Sequence, residues 1–331
     1  MKKTTIWAIA VMTCLCACND KPKQSEATPA SDATKTENAE AAANNAEENA
    51  DVPPVVAACV NGLPMFAPFN GGDIIGEGRS LKQSPEKYTK LILKETVLDV
   101  TYKEEKNKNL GEDGSSLNEY FFKSADKMKG QIYNYADQNA YEKYMKSHGD
   151  MTAEGEMIPM EYTTGVLASA DYMQGRSVLK VSATTTEDPE GPEFPASVVS
   201  KVEKMLGQKV EKNRVAYVFG NDEYDFGIMQ TKPNDKYGIA AWVIAKGNEV
   251  CLWTDTCEVV TEEGEKRVMW SNYAADEYNE PAILTVVKGK NGLDIYAEHM
   301  STDEMVNYYQ MRQKGDKMKR TAMGGFYIQY E

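Results

Sequence analysis

The second half of the chain alternates short apolar runs with turn residues. From residue 209 onward the apolar residues either alternate with polar ones or form brief continuous runs, which is typical of β-strands. Residue pairs that contain one glycine separate several of these runs and favour tight hairpin turns. The pattern therefore predicts a meandering antiparallel sheet. Its strands are predicted at residues 214–219, 224–231, 237–246, 249–254, 266–270, 282–288, 293–299 and 325–330, with turns at Gly247-Asn248, Glu263-Gly264 and Asn291-Gly292.

A few short helices accompany these strands, which makes the predicted fold class α+β. One helix starts at Pro195 and stops at Gly207. A second follows a cap at Asp137 and ends at Gly149, because Tyr141, Tyr144, Met145 and His148 recur at helical intervals. A third is predicted to start at 301–304 and to carry Met305, Tyr308, Tyr309 and Arg312 on one face. Residues 118–135 suggest a hairpin around Gly130, and residues 87–100 fit either a strand or a helix.

The first residues have the features of an export signal. Lys2 and Lys3 precede an apolar run at 6–15 that is too short for an ordinary membrane span, and Leu15-Cys16-Ala17-Cys18 closes it. This segment resembles the lipobox of type II signal peptides. The resemblance implies that residues 1–17 are a signal peptide, that Cys18 receives a diacylglyceryl group, and that the new amino terminus is acylated after cleavage. Several acyl chains hold a protein durably on a membrane.

A polar segment follows the lipobox. Residues 18–53 contain no aromatic residue and no Ile, Leu, Met or Phe, so we expect a disordered tether. The resemblance to enterobacterial lipoproteins associates an aspartate after the cysteine with retention in the inner membrane. Asn19 stands at that position here, so the outer membrane is favoured, while the face of the membrane on which the domain lies is not determined. Beyond the tether, we expect an α+β part at 54–190 and a helix-plus-sheet part at 191–331, which form either two parts or one continuous domain.

The charge of the chain argues against some partners. The 331 residues carry a net charge of −14, which becomes −16 when the leader and its two lysines are removed. Proteins that bind nucleic acid need clustered Lys and Arg that release phosphate counterions, so we expect no nucleic-acid partner. Attraction to an anionic bilayer is disfavoured for the same reason, and the membrane link is left to the lipid.

Cysteine use fits an exported protein. Besides the cysteines in and next to the leader, the chain has Cys59, Cys251 and Cys257. Cys251 and Cys257 lie six residues apart, which permits a disulfide across a loop in an oxidising compartment. The alternative is two separate packed thiols, with Cys59 buried or paired with one of them. The spacing lacks the short pairs of structural zinc sites, so no metal is predicted.

The sequence does not reveal a catalytic motif. His148 and His299 are not spaced for a metal, and the Gly-x-Ser-x-Gly elbow is absent. A dyad of Cys59 and His299 has no local support, the glycine-rich segment 71–79 lacks the strand and helix of a phosphate loop, and the acidic segments 187–190 and 221–225 fit solvated turns better than calcium loops. No cofactor is expected, and enzymatic activity is the less favoured interpretation.

Aromatic residues supply the remaining candidate site. Trp242, Trp253 and Trp270 lie on neighbouring predicted strands, where they either pack in the core or form a binding surface for a glycan, a peptide or an envelope protein. Residues 195–300 loosely resemble uncharacterised lipoproteins of gut bacteria, a resemblance that implies no activity. The preferred hypothesis is a noncatalytic, lipid-anchored binding protein of the cell envelope. The alternative is a lipid-anchored hydrolase that uses paired carboxylates on an envelope or dietary polymer.

Overall fold

The computed structural model describes eleven stretches of one compact unit, Ala50–Glu331. They are residues 53–60, 65–68, 84–107, 129–148, 150–151, 157–158, 162–184, 191–262, 265–270, 278–300 and 305–327. Most of these residues belong to antiparallel strands, and the helices are short, so the fold class is α+β and rich in sheet.

The first half of the unit forms a closed barrel. The strands of this half are β1 (Val55–Val60), β2 (Met65–Pro68), β3 (Lys90–Leu93), β4 (Thr96–Asn107), β5 (Lys129–Tyr135), β6 (Asp150–Met151), β7 (Met157–Ile158) and β8 (Tyr162–Ala168). The barrel order is β1-β2-β5-β4-β3-β8, while β6 and β7 form a separate pair. Residues 87–100, for which the sequence left strand and helix open, are mainly β3 and β4. Leu91, Leu93 and Tyr133 are completely buried inside this barrel.

The second half forms a larger sheet. Its strands are β9 (Ser177–Leu179), β10 (Val181–Ala183), β11 (Val210–Phe219), β12 (Tyr224–Thr231), β13 (Tyr237–Lys246), β14 (Glu249–Glu262), β15 (Glu265–Val268), β16 (Ala282–Gly289), β17 (Gly292–Met300), β18 (Met305–Lys314) and β19 (Lys317–Tyr327). Their order is β10-β11-β12-β13-β14-β19-β18-β17-β16-β9, with β15 attached to β14. Since Lys180 alone separates β9 from β10, one bent segment pairs with both edges and curls the sheet into a nearly closed second barrel.

Short helices pack against these barrels. They are α1 (Gln138–His148), α2 (Ala170–Met173) and α3 (Ala196–Leu206), together with a 3-10 turn at Pro85–Lys87. Asp137 accepts a hydrogen bond from the amide of Asn139 at 3.0 Å, and Gly207 ends α3 with a φ of 69°. Two helix predictions are thus confirmed, with their caps. No helix in the described stretches is both long and apolar enough to cross a membrane.

The third predicted helix is wrong. Residues Met305–Lys314 form strand β18, which pairs with β17 and β19. Tyr308 is buried on the outer face of the second barrel, and Met311 is buried on its inner face. Because both faces of this strand are covered, apolar residues fall at adjacent and three-residue spacings, which imitates helical periodicity.

The two barrels pack directly against each other. Val56 and Ile92 of the first barrel share a buried cluster with Val287, Tyr296 and Tyr308 of the second. Residues 169–176 connect the last strand of the first barrel to the first strand of the second barrel. This connection precedes the boundary after residue 190 that the sequence analysis predicted. The second barrel therefore includes residues of the segment that the sequence analysis assigned to the N-terminal part.

Candidate functional site

The wall of the second barrel has one weakly paired seam. Ten register pairs join β13 to β14, whereas a single parallel pair, Leu252 with Lys317, joins β14 to β19 in the described stretches. One backbone bond supports this pair, from the amide of Leu252 to the carbonyl of Asp316 at 3.2 Å. Beyond it, β14 continues into its pairing with β15. The two strands thus part within the barrel wall.

A group of aromatic and polar side chains lies beside this seam. We call it the seam cluster and define it as Trp242, Trp253, Asp255, Tyr278, His299, Tyr309 and Arg320. Alternation along the strands explains why they meet. Trp242 lies directly opposite Trp253, and Asp255 follows two residues later on the same face of β14.

Trp242 is the centre of the seam cluster. It is fully buried, and its ring lies 5.4 Å from the rings of Trp253 and His299 and 6.5 Å from that of Tyr309, centroid to centroid, in edge-on arrangements. Its indole Nε1 is buried and has no hydrogen-bond partner among the described residues. A buried donor without a partner costs about 1–3 kcal/mol, so it is an unusual feature in a core.

Arg320 occupies the opening of the seam cluster. Its guanidinium carbon lies 3.9 Å from the ring centroid of Trp253 and 4.3 Å from that of Tyr309. Cation–π attraction to two rings therefore fixes the plane of this cation. All three side chains are only partly buried, which places this end of the cluster in contact with solvent.

Hydrogen bonds fix the polar groups of the seam cluster. Tyr278 donates its hydroxyl to Asp255 at 2.9 Å and its amide to Gln230 at 3.3 Å, and its ring stacks on His299 at 5.2 Å. His299 Nε2 lies 3.0 Å from the carbonyl oxygen of Asn279. The buried Tyr278 and His299 are thus held from both sides, and Asp255 already accepts one hydrogen bond.

Burial controls the protonation of this cluster. Desolvation lowers the pKa of His299 below 6.5, and its hydrogen bond to the Asn279 carbonyl offsets only part of that effect. Desolvation, together with the charge of Asp255, raises the pKa of Tyr278 far above its ordinary value. At neutral pH the imidazole and the phenol are therefore uncharged, and Arg320 is the cation of the cluster.

This shift predicts a pH dependence of stability. His299 binds its proton more weakly in the folded state than in the unfolded state, so its contribution is complete above about pH 6.5 and is lost as the pH falls through the lower folded-state pKa. We expect His299→Gln, which keeps a donor for the Asn279 carbonyl, to lose less free energy of unfolding than the wild type between about pH 7.5 and about pH 5.5. Urea unfolding at both pH values measures this difference, and equal losses in both proteins would contradict it.

The predicted tryptophan surface takes a different form in the structure. Trp242 and Trp270 are buried, and Trp253 is half-buried beneath Arg320. Trp270 packs so closely on β13 that a β-carbon at Gly238 would lie 2.4 Å from its Cη2 atom. The three tryptophans therefore do not form one exposed platform. Trp242 and Trp270 are part of the core, as in the alternative considered from the sequence.

Cys251 and Cys257 do not form the disulfide that their spacing permits, and they fit the alternative of two separate packed thiols. Cys251 and Cys257 are free, buried thiols on the single strand β14. Six residues of extended chain separate their Cα atoms by roughly 20 Å, far beyond the reach of a disulfide. Burial raises the pKa of both thiols to about 12, which keeps them protonated and unreactive.

The other sequence candidates do not join this site. His148 lies on α1 and stacks on Tyr144. Glu223 of the acidic segment 221–225 pairs with Lys246 and Lys288, which lowers its pKa to about 2. The described residues contain no group of three or more His, Cys, Asp or Glu placed to hold a metal ion. Cys18, the tether and the segments 71–79 and 187–190 lie outside the described residues, as does the side chain of Cys59.

A second buried polar network lies between the barrels. Tyr172 donates to Asp294 at 2.8 Å, Tyr296 donates to Tyr172 at 2.9 Å, and Arg312 pairs with Asp294 through two bonds of 2.8 and 3.2 Å. Because these contacts satisfy the carboxylate of Asp294, we interpret this network as structural.

No family model, curated protein or solved structure matches the chain.

Proposed function

We propose that this chain is a noncatalytic, lipid-anchored binding protein of the cell envelope that holds a small ligand, or the end of a larger one, at the seam cluster. The lipobox and polar tether support the anchor, and the residue after Cys18 favours the outer membrane. The ligand is a glycan, a peptide or part of an envelope protein. Nucleic acid is disfavoured by the strongly acidic chain.

The observation that carries this proposal is the combination of unpaired polar groups with aromatic rings at a weak seam. Binding sites commonly place a few fixed polar groups among apolar walls, often at the mouth of a barrel. Here Trp242 has a buried donor with no partner among the residues that the structure describes, and two rings hold Arg320 beside strands that share a single register pair. A core that served stability alone would gain from satisfying these groups.

The hydrolase alternative receives less support from this site. Hydrolysis of a glycan by paired carboxylates needs two acids at about 5–10 Å around the bond. As defined from the described residues, the seam cluster contains one carboxylate, Asp255, and it is hydrogen-bonded to Tyr278. The cluster therefore favours ligand binding over hydrolysis by a pair of carboxylates.

A binding screen tests the proposed function. The full-length protein, purified in detergent, is screened by native mass spectrometry against neutral and acidic saccharides, short peptides and small organic acids. We expect at least one ligand to bind and to change the tryptophan fluorescence, because Trp242 and Trp253 lie in the site.

Two alanine variants locate any binding found in this screen. Trp253→Ala removes half of the clamp around Arg320 and is expected to weaken binding by about tenfold or more. Tyr102→Ala, a comparably half-buried aromatic of the first barrel, is the matched control and is expected to bind normally. The binding function is contradicted if no ligand binds, and its placement is contradicted if both variants lose affinity equally.

A further inference from the structure

The free edge of Arg320 defines what the seam cluster recognises. Trp253 and Tyr309 cover the guanidinium, but an arginine's hydrogen-bond donors point outward in its plane. No hydrogen bond or ion pair of Arg320 exists among the described residues. The rings thus orient its planar fork, and the described residues leave that fork without an acceptor, a geometry that fits two oxygens of an oxyanion.

A second donor belongs to the same cluster. The Nε1 of Trp242 is buried and has no partner in the described part of the chain, and the Trp242 ring lies next to both rings that hold Arg320. The indole nitrogen can only donate, so the group it lacks is an acceptor. The charged guanidinium of Arg320 and the neutral indole N–H of Trp242 are therefore two donors on the same side of the barrel wall, and the described residues supply no acceptor for either.

The neighbouring groups limit the charge of the ligand. Asp255 lies on the strand that carries Trp253, and its charge acts on both Tyr278 and Tyr309, as does that of Arg320. Asp255 repels a dianion more strongly than a monoanion, and the single positive charge of Arg320 offsets only one negative charge of the ligand. The site thus favours a monoanion over a phosphate dianion.

Acceptors for the rest of the ligand are also present. The carbonyl of Asn279 can only accept, so a neutral His299 must carry its hydrogen on Nε2, which leaves Nδ1 as an acceptor. Asp255 has further lone pairs beyond the bond from Tyr278. Hydroxyl or amide N–H groups next to the ligand's anionic group suit these positions.

We propose that the seam cluster binds the carboxylate of a monoanionic ligand, with the Arg320 fork and the Trp242 indole N–H as donors. The inference rests on the proposed binding function and gives it a chemical class. It covers an acidic sugar or the carboxyl end of a peptide, since both present the same group.

Matched probe pairs test this specificity. D-glucuronate is compared with D-glucose, and hippurate with its amide, by calorimetric titration of the full-length protein. D-glucose 6-phosphate supplies the dianion. We expect one carboxylate to bind at least about tenfold more tightly than its neutral counterpart, because the neutral probe cannot make a charge-assisted, bidentate contact. It should also bind more tightly than the phosphate, because Asp255 repels a dianion more strongly than a monoanion. The sugar and hippurate arms distinguish the two sources of the carboxylate.

Arginine variants connect this preference to the site. Arg320→Met should abolish the preference for the carboxylate, and Arg320→Lys should weaken it, since lysine keeps the charge but lacks the planar fork. The exposed Arg267 of β15 supplies the control, and Arg267→Met should leave the preference unchanged.

Several results would overturn the carboxylate inference. Among them are neutral probes that bind as tightly as the carboxylates, a phosphate that binds more tightly, failure of every carboxylate to bind, and a preference that survives undiminished in the folded Arg320→Met protein. A neutral ligand that binds at the cluster independently of Arg320 would overturn this inference and leave the binding function standing. Absence of any ligand in the wider screen would remove both.

Discussion

Cys18→Ser is expected to leave the protein without its lipid. Serine lacks the sulfur that receives the diacylglyceryl group in the lipobox that this leader resembles, so neither acylation nor the cleavage that depends on it should follow. One acyl chain gives reversible attachment and several give durable attachment, so the change should convert a detergent-dependent protein into one lacking lipid. Labelling with radioactive palmitate and mass spectrometry of the amino terminus measure both effects.

The neighbouring cysteine provides the matched control for this prediction. Cys16→Ser changes the same residue type two positions upstream, at the variable middle position of the lipobox. It should leave labelling and membrane attachment intact. Equal labelling of the wild type and the Cys18→Ser protein would show that Cys18 is not the anchor.

Trp242→Ala is expected to cause the largest loss of stability in the second barrel. The side chain is fully buried and contacts Phe226, Trp253, His299 and Tyr309, so its removal leaves a cavity at the centre of the cluster. Truncation of a buried tryptophan costs about 3–5 kcal/mol of the free energy of unfolding. Urea unfolding of both proteins gives this difference directly.

Two further variants distinguish packing from hydrogen bonding at this position. Trp242→Phe keeps most of the ring and removes the unsatisfied donor, so its stability loss should be clearly smaller than that of Trp242→Ala, while ligand affinity falls. Trp253→Ala, at the half-buried partner, should also cost less than Trp242→Ala. If Trp242→Ala proves no more destabilising than Trp253→Ala, Trp242 is not the centre of the core.

Local patterns were sufficient to predict most of the second sheet. Its hairpins depend on turn residues a few positions apart, as at Gly247, where φ is 56°, and at Gly292. The two helices capped at Asp137 and Pro195 were likewise visible in the sequence, because caps and apolar stripes are local signals. The first barrel was not predicted, because its closure depends on pairing between strands far apart in sequence, such as β1 with β8.

The errors come from properties that the whole fold decides. Strand β18 was interpreted as a helix because the first barrel covers one of its faces and the interior of the second barrel lies on the other. Because of that error, Tyr309 was not predicted to lie beside the tryptophans of the sheet. Arg320 was missed because the closing strand was predicted to begin at residue 325, whereas β19 begins at Lys317.

The seam cluster was therefore only partly accessible from the sequence. The tryptophans were recognised as a possible site, but their burial depends on the curvature of the barrel and could not be read from alternation. Asp255 and Tyr278 lie 23 residues apart in the sequence, and the hydrogen bond that joins them exists only in the folded protein. The same holds for Arg320, which reaches Trp253 across the parallel seam.

The most direct test of ligand binding at the seam follows the indole N–H of Trp242 by nuclear magnetic resonance. The protein is labelled with ¹⁵N-tryptophan, and the Trp242 signal is assigned through its loss in Trp242→Phe. The account predicts that a bound carboxylate ligand shifts this signal strongly and protects its proton from exchange with water, since the donor gains its missing acceptor. A ligand that binds with its full affinity while the Trp242 signal stays unchanged would contradict the account.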